Sequence, residues 1–325
     1  MKFIHIADVH WGARPEREQT FGRIREQEIK ETFQRVIDHA NKQQVDLLLI
    51  AGDLFDQPPT QQELREVDYL LSRLNHIRTV LIAGNHDHLE PHDVFSQYKW
   101  NSEVYLLDGK QRDHISFEDL ETTIYGFSYW KNQITKPLYD RMKPDENESS
   151  DFSILLAHGG DESHIPIQRE ALKWSGFDYI ALGHIHKPMK VGSELYRYCG
   201  TPLACSVSEA QQQKGIIMVE MGVKGEVKTT ILPLEPLRQV KVVKGTLEEV
   251  LKESCKDYVT VILTDKADLD VIDMQERIRL AFPNLLEIRR ENQRKTDYTR
   301  TLQTEELLDP YELCCSFLKD LDEEE

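Results

Sequence analysis

The chain has 325 residues, and its 40 lysines and arginines stand against 57 aspartates and glutamates, so the formal net charge is −17. This length has room for about two domains with apolar cores of their own. Hydrophobic residues make up 39% and charged residues 30% of the chain, a composition typical of globular proteins that excludes disordered and fibrous ones. The acidity argues against a protein that binds DNA through charge alone.

The charge and the histidines are unevenly distributed along the chain. Residues 301–325 contain one basic and nine acidic side chains, whereas residues 231–300 contain 13 of each. All 12 histidines lie between residues 5 and 186, so imidazole chemistry is expected in the first part. We find no signal-peptide core, no apolar run long enough to cross a bilayer and no CxxC pair. These features predict a cytoplasmic protein with reduced thiols and no membrane partner.

Short apolar runs alternate with amphipathic stretches through the first half. Strands are predicted at residues 3–7, 46–51, 79–83, 152–157 and 179–182. Helices are predicted at residues 23–43 and 61–74, where apolar residues recur at spacings of three and four. This alternation predicts an α/β fold with parallel strands between helices. Shorter strands within residues 104–127 and 189–232 are expected to be antiparallel additions.

Two prolines at positions 233 and 236 indicate a boundary after the first domain, which we place at residues 1–232. Residues 237–300 are predicted to form a small α+β domain. Its strands are expected at residues 239–243, 258–263 and 285–289, and its helices at residues 246–252 and 271–282. Residues 301–325 form an acidic amphipathic segment, interpreted either as a terminal helix packed on its own domain or as a docking helix for a partner.

Polar side chains follow five predicted strands, at the end where α/β sheets bind ligands. They are Asp8, His10, Asp53, Asp56, Asn85, His86, Asp87, His158, His184 and His186. Carboxylates, imidazoles and an amide oxygen suit divalent ions such as manganese, iron or zinc, and the absence of thiolates disfavours a structural zinc site. Because the candidate ligands are too many for one ion, we expect two ions about 3.5 to 4 Å apart, an arrangement that serves phosphoryl displacement.

The ordered set of motifs resembles the calcineurin-like metallophosphoesterase superfamily. The motifs are Asp8-x-His10, Gly52-Asp53-x-x-Asp56, Gly84-Asn85-His86-Asp87, His158 and Gly183-His184-x-His186. Flanking stretches at residues 6–12, 51–56, 124–127, 178–188 and 198–215 resemble the SbcD branch, the bacterial relatives of the eukaryotic double-strand-break repair nuclease. The resemblance covers residues 1 to about 232. It implies a β-sandwich flanked by helices, followed by a smaller capping domain that helps to direct DNA.

The resemblance also implies roles for individual residues. It assigns one metal ion to Asp8, His10 and His186 and a second to Asn85, His158 and His184, with Asp53 bridging. Two Mn²⁺ ions are the cofactor it implies. His86 would protonate the leaving oxygen or stabilise the transition state, with Asp87 as a neighbour that orients it. Asp56 stands where archaeal and eukaryotic relatives often carry histidine, so a contribution of Asp56 to catalysis is an open question.

The activity implied is that of a metal-dependent DNA exonuclease and endonuclease in double-strand-break repair or hairpin processing. The implied partners are DNA, an SbcC-type ABC ATPase and a second copy of the chain. Candidate DNA contacts are Arg289, Arg290, Arg294 and Lys295, whose alternative interpretation is a solvated charged face. A stand-alone phosphodiesterase for small or cyclic nucleotides would use the same ligands. A non-catalytic scaffold is disfavoured because every ligand is retained.

Overall fold

The computed structural model describes residues 1–110, 112–145, 150–210, 212–222, 226–265 and 271–291. The strands of the first part are Lys2–Ile6 (β1), Leu47–Ala51 (β2), Arg78–Ile82 (β3), Val104–Leu106 (β4), Asp113–Phe117 (β5), Thr122–Gly126 (β6), Phe152–His158 (β7), Tyr179–Gly183 (β8), Met189–Ser193 (β9), Tyr196–Tyr198 (β10), Gly215–Met221 (β11) and Val227–Pro233 (β12). Its α-helices are Gly22–Gln43 (α1), Gln61–Leu71 (α2) and Arg169–Lys173 (α3). The C-terminal part contains Val240–Gly245 (β13), Leu247–Val250 (α4), Tyr258–Leu263 (β14), Val271–Ala281 (α5) and Leu285–Arg290 (β15). None of the described helices combines the length and apolarity that a bilayer span requires.

The first sheet has the strand order β12-β11-β1-β2-β3-β4. Strands β1 to β4 run parallel, whereas β11 pairs antiparallel with both β1 and β12. Strand β2 reads Leu-Leu-Leu-Ile-Ala and is buried throughout, as expected for a central parallel strand that is covered on both faces. Helices α1 and α2 cover one face of this sheet through side chains such as Phe33, Val36 and Leu64.

The second sheet has the order β5-β6-β7-β8-β10-β9 and packs against the first. Its four central strands run parallel, and β5 and β9 are antiparallel at the edges. Phe3, Leu49, Ile124, Leu156 and Ala181 belong to the apolar layer between the two sheets. The mixed α/β sandwich confirms the predicted fold class, and it places the carboxyl ends of β1, β2 and β3 beside those of β7 and β8.

Three of the short strands do not pair as the sequence pattern predicted. Strand β4 runs parallel to β3, β6 runs parallel to β7, and β10 runs parallel to β8. The connection through residues 83–103 is long enough to return the chain in the same direction before β4 begins. Strand β9 lies outside β10 as the antiparallel edge, so β10 is inserted between β8 and β9. The other predicted strands and helices start within about two residues of the observed ones.

The C-terminal part is a three-stranded sheet in the order β13-β14-β15, with all strands parallel. Its helices α4 and α5 lie between successive strands along the chain, and Val259 and Phe282 are buried in a core of its own. It also contacts α1, because the Tyr258 hydroxyl donates to Glu28 (2.9 Å) and the Arg25 guanidinium lies 4.4 Å from the centre of the Tyr258 ring.

Candidate metal centre

The polar side chains predicted from the sequence converge on one rim of the sandwich. Strand β1 leads to Asp8 and His10, β2 to Asp53, β3 to Asn85 and His86, β7 ends in His158, and β8 leads to His184 and His186. Three of these strands belong to the first sheet and two to the second. The rim is therefore built where the carboxyl ends of strands from both sheets meet.

The backbone at the rim adopts conformations that side chains seldom allow. The angle φ is 54° at Asp8, 51° at His10, 49° at Asp53 and 95° at His184. Such left-handed conformations cost about 1 to 3 kcal/mol each and persist only where the surrounding structure imposes them. The amide of Asp8 donates to the carbonyl of Gly52, and that of His10 to the carbonyl of Asp53, both at 3.1 Å. The fold thus imposes backbone strain at four of the candidate metal ligands.

Two glycines allow the strand ends to come this close. A Cβ atom at Gly52 would lie 2.3 Å from Nδ1 of His158. A Cβ atom at Gly84 would lie 2.2 Å from Oδ1 of Asp53. Gly52 also has a φ of 89°, so this position requires glycine both for space and for conformation.

The first group of donor atoms comes from Asp8, His10 and His186, and these atoms all lie within 4.8 Å of one another. Nε2 of His10 is 3.2 Å from Nε2 of His186. Two unprotonated ring nitrogens that face each other repel, so this contact requires a proton or a cation that both can share. Asp8 and His10 are buried, which makes the carboxylate costly to leave without a counter-charge.

The second group comes from Asp53, His158 and His184, again with donor atoms within 4.8 Å. Nε2 of His158 lies 3.2 Å from Oδ2 of Asp53. Oδ1 of Asn85 lies 3.1 Å from Nε2 of His158 and 3.1 Å from Nδ1 of His184. A carboxylate oxygen, an amide oxygen and two ring nitrogens therefore converge on one point.

Asp53 lies beside both groups, since its carboxylate also comes within 4.8 Å of donor atoms of His10 and His86. Burial raises the pKa of Asp53, but the His158 imidazole outweighs this effect and holds the pKa well below its ordinary value. Burial lowers the pKa of His158, whereas the Asp53 carboxylate raises it to about 9. A proton on His158 thus balances the buried carboxylate, and a divalent cation would take over that role.

His86 lies next to these groups and is half-exposed. Its Nδ1 lies 2.9 Å from the main-chain carbonyl of Asp56. Because a carbonyl can only accept, Nδ1 carries the hydrogen and Nε2 is the nitrogen left to face a substrate. The amide of His86 donates to Oδ1 of Asp53 (2.9 Å), and its ring centre lies 4.7 Å from that of His10. Oδ1 of Asp56 also lies 3.3 Å from Nδ1 of His10.

Asp87 is placed differently from the sequence-based expectation that it orients His86. Its buried carboxylate accepts hydrogen bonds from the amides of Gly84 (2.6 Å) and Phe55 (3.1 Å). Burial raises the pKa of Asp87 to about 7. Asp87 therefore connects the loops that follow β2 and β3, and the ring of His86 is instead oriented by the hydrogen bond that its Nδ1 donates to the main-chain carbonyl of Asp56.

Three side chains that the motifs did not single out support the histidines of the rim. Oδ2 of Asp161 lies 2.6 Å from Nε2 of His184. Oε1 of Glu209 lies 3.4 Å from Nδ1 of His186, and Glu209 forms a buried ion pair with Lys214 (2.6 Å). Glu209 and Lys214 belong to a stretch that carries the SbcD resemblance, but that resemblance assigned them no role. Asp161 follows β7 in a loop that no motif marks.

The basic side chains predicted to contact DNA lie only partly within the described structure. Arg289 and Arg290 are on the edge strand β15, and Nη2 of Arg289 pairs with Oε2 of Glu287 at 2.7 Å. Arg294 and Lys295 lie outside the described residues, as does the acidic segment 301–325.

Comparison with protein families assigns the first part of the chain. The model of the calcineurin-like phosphoesterases matches residues 1–188, which is more than half of the chain. The chain belongs to the calcineurin-like phosphoesterase family. A second model, described as the type 5 capsule protein repressor C-terminal domain, matches residues 234–321. Phosphoesterases of this family act through divalent metal ions, and the two groups of oxygen and nitrogen donors at the rim fit such ions.

Individual relatives align with most of the chain. The SbcD subunit of the SbcCD nuclease of Staphylococcus epidermidis is 25% identical over 323 residues, which cover 88% of this chain and 84% of the relative. The SbcD subunit of the same nuclease in Staphylococcus saprophyticus is 28% identical over 286 residues, with coverages of 78% and 74%. The DNA double-strand break repair protein Mre11 of Methanopyrus kandleri is 27% identical over 328 residues, with coverages of 86% and 71%.

Proposed function

We propose that the protein is a metal-dependent DNA nuclease that hydrolyses phosphodiester bonds as an exonuclease and endonuclease in double-strand-break repair or hairpin processing. The observation that carries this proposal is the convergence of two donor groups around Asp53 on one rim. The relatives named as nuclease subunits and as a break repair protein, aligned over most of the chain, support DNA as the substrate.

The proposed metal ligands divide into two sets that share Asp53. One set is Asp8, His10 and His186, and the other is Asn85, His158 and His184. Two bound divalent ions, with Mn²⁺ as the proposed pair, would activate a water molecule and stabilise the charge on the attacking and leaving oxygens. They would also add four positive charges to an acidic rim, which supports phosphate binding despite the net charge of −17.

His86 is proposed as the residue that assists the leaving group. With its Nδ1 hydrogen donated to the Asp56 carbonyl, the ring has Nε2 free. In the doubly protonated ring, Nε2 would donate a proton or a hydrogen bond to the leaving oxygen. The half-exposed position allows contact with a macromolecular substrate, and the amide hydrogen bond to Asp53 holds His86 beside the metal ligands. Asp56 is proposed to support catalysis by fixing the ring of His86.

The remaining parts of the chain are proposed to organise the substrate and the complex. Residues 1–232 would form the nuclease domain, residues 237–300 a capping domain that directs DNA, and residues 301–325 a separate acidic segment. Arg289, Arg290, Arg294 and Lys295 are the proposed phosphate contacts. An SbcC-type ABC ATPase and a second copy of the chain are the proposed protein partners, and the naming of the staphylococcal relatives as subunits of SbcCD supports the first.

The test is to measure Mn²⁺-dependent cleavage of linear duplex and hairpin DNA, with bis-nitrophenyl phosphate as a small phosphodiester and with the ATPase partner supplied. We expect cleavage of both kinds of substrate. Turnover of the small ester without any degradation of DNA would contradict the nuclease proposal and would favour a phosphodiesterase acting on small or cyclic nucleotides. Absence of turnover on every substrate would contradict the phosphoesterase activity itself.

A further inference from the structure

The imidazole of His184 has a polar neighbour at each of its two ring nitrogens. Its Nδ1 faces the donor group and lies 3.1 Å from Oδ1 of Asn85, whereas its Nε2 points away from that group and lies 2.6 Å from Oδ2 of Asp161. A carboxylate accepts hydrogen bonds, so Nε2 carries a hydrogen in this contact and Nδ1 keeps its lone pair. The second nitrogen of His184 is thus occupied by a residue outside the metal-site motifs.

Two other histidines of the rim, His158 and His186, turn the other ring nitrogen towards the donor groups. Nδ1 of His158 lies 2.8 Å from the carbonyl of Ala51, and Nδ1 of His186 lies 3.4 Å from Oε1 of Glu209. Both therefore present Nε2 to the donor groups. His184 presents Nδ1, and its left-handed backbone, with φ of 95°, accompanies this reversed orientation. A free imidazole of this kind exchanges between tautomers, so a fixed partner at Nε2 is needed to keep Nδ1 available.

Asp161 is itself fixed in position. Its Oδ1 accepts hydrogen bonds from the amides of Ser163 (2.8 Å) and His164 (2.9 Å), and Nδ1 of His164 lies 2.9 Å from both carboxylate oxygens. The ring of His164 lies 4.7 Å from that of His184. These hydrogen bonds already fix the Asp161 carboxylate, so accepting the Nε2 hydrogen of His184 costs little further side-chain entropy. This matters because about half of the Asp161 side chain is exposed, and a lone exposed ion pair contributes little.

We propose that Asp161 is a positioning residue for the metal centre, which holds His184 as the tautomer that presents Nδ1 to the group containing Asp53 and His158. The role matches the carboxylate–histidine–metal arrangement, in which the outer carboxylate fixes the ring and strengthens the ligand. Loss of such an outer partner typically weakens metal binding about 10- to 100-fold. The inference rests on the proposed function, because it assumes that His184 is a metal ligand.

The test compares D161N with E162Q, which removes the same charge from the adjacent exposed position. Mn²⁺ titration by calorimetry should show two sites in the full-length wild type. In D161N, one site should weaken about 10- to 100-fold while the other keeps its affinity, and E162Q should bind like the wild type. D161E, which keeps the charge but moves it by one methylene, is measured alongside and should weaken the same site. Wild-type affinities in D161N and D161E would overturn the proposal, as would a third Mn²⁺ in the wild type that D161N fails to bind.

A second readout does not depend on metal binding. Long-range ¹⁵N–¹H correlation spectra of ¹⁵N-histidine-labelled, metal-free protein report which ring nitrogen carries the hydrogen, and the signals of His184 are assigned by their loss in H184Q. The expected result is an Nε2–H tautomer in the wild type and a mixture in D161N. An unchanged tautomer in D161N would overturn the proposal. If the wild type binds two ions and cleaves DNA while D161N behaves identically, only the Asp161 inference fails; if the wild type binds no Mn²⁺, the proposed function itself fails.

Discussion

The rim of the phosphoesterase part and the C-terminal sheet carry their charged residues in opposite ways. The rim buries Asp8 and Asp53 together with His158. On the C-terminal sheet, charged side chains are exposed and paired along the surface, as in Arg289 with Glu287 (2.7 Å). Burying a carboxylate is costly unless a positive partner compensates for the lost hydration. The rim is therefore a region in which burial of charge costs free energy of folding, and a bound cation, as proposed, would offset that cost.

The backbone shows the same contrast. Of the ten non-glycine residues with left-handed φ in the described part of the chain, four lie at the rim (Asp8, His10, Asp53 and His184), and none lies on the C-terminal sheet. Strain of this kind is concentrated where side chains must be held in one geometry. Substitutions at the rim should therefore affect chemistry first, and equivalent substitutions on the C-terminal sheet should be tolerated.

The largest effect is expected for Asp53→Asn, which keeps the size of the side chain and removes its charge. Because Asp53 lies beside both donor groups, both metal sites should weaken together, and cleavage should fall by about 10⁴-fold or more. Metal content by mass spectrometry and cleavage of DNA check this on one preparation. Asp257→Asn, on the C-terminal sheet, is the matched control, since Asp257 pairs with Lys241 and lies outside the rim. Two tightly bound ions in Asp53→Asn would contradict the bridging role.

The next effect is expected for His86→Gln. This change removes the ring whose Nε2 faces the substrate, so cleavage should fall by about 10²- to 10³-fold, while both ions remain bound. His39→Gln on α1 serves as the control for loss of a histidine away from the rim. Loss of one ion in His86→Gln would show that His86 is a ligand.

Gly52→Ala and Gly192→Ala separate backbone strain from crowding at the rim. Both glycines have left-handed φ, 89° and 77°, but a Cβ at Gly192 would meet open space whereas one at Gly52 would overlap His158. Chemical denaturation should show a loss of about 1 kcal/mol at Gly192. At Gly52 the overlap should add about 1 to 3 kcal/mol to this loss. Equal losses at the two positions would mean that the rim is less tightly packed than described.

A pH effect away from the metal ligands is expected from His5, which lies between the sheets with Nδ1 3.1 Å from the Tyr179 hydroxyl. Burial, together with the Arg197 charge, lowers the pKa of His5 to about 3, below its unfolded value of about 6.5. The folded state therefore favours neutral His5, and its contribution to stability is present above pH 6.5 and is lost as the pH falls, by at most about 1.4 kcal/mol per pH unit. Between pH 7.5 and 5, without metal, the free energy of unfolding should fall about 2 kcal/mol more in the wild type than in His5→Gln. Parallel pH profiles for the two proteins would contradict this account.

The smallest effect is expected on the C-terminal sheet. Arg289→Ala should weaken DNA binding only a few-fold and should lower the slope of log affinity against log salt by about one. The pairing of Arg289 with Glu287 limits its contribution. Arg73→Ala on the surface, where Arg73 pairs with Asp38, is the control. An unchanged salt dependence in Arg289→Ala would assign Arg289 to a solvated charged face, the alternative interpretation of this basic cluster.

Much of the fold follows from local patterns. The apolar run of β2 and the spacing of Phe33 and Val36 on α1 predict their elements because burial on a sheet or a helix face imposes those periods. The pairing of β4, β6 and β10 was predicted wrongly, since the direction in which a short strand joins a sheet depends on the path of its connection. Such a path is a property of the whole fold and leaves no local pattern.

The candidate site, like the fold, could be predicted from the sequence only in part. Strand ends placed the candidate ligands on one rim, and the structure gathers them into two groups, while their binding of metal stays a prediction. The contact of Asp161 with His184 could not be predicted, because it depends on how a loop folds back over the rim and not on any spacing between the two residues. The same holds for Asp87, whose neighbour in sequence is His86 but whose carboxylate accepts from Gly84 in its own loop and from Phe55 in the loop after β2.

The most direct test of the account is one titration of the full-length protein with Mn²⁺, in which bound metal and release of nucleotides from linear duplex DNA are measured on the same samples with the ATPase partner present. The account predicts two ions per chain, with cleavage that rises as the second ion binds and that His86→Gln strongly reduces without loss of either ion. Two bound ions without any cleavage of DNA, or cleavage that does not depend on Mn²⁺, would contradict it.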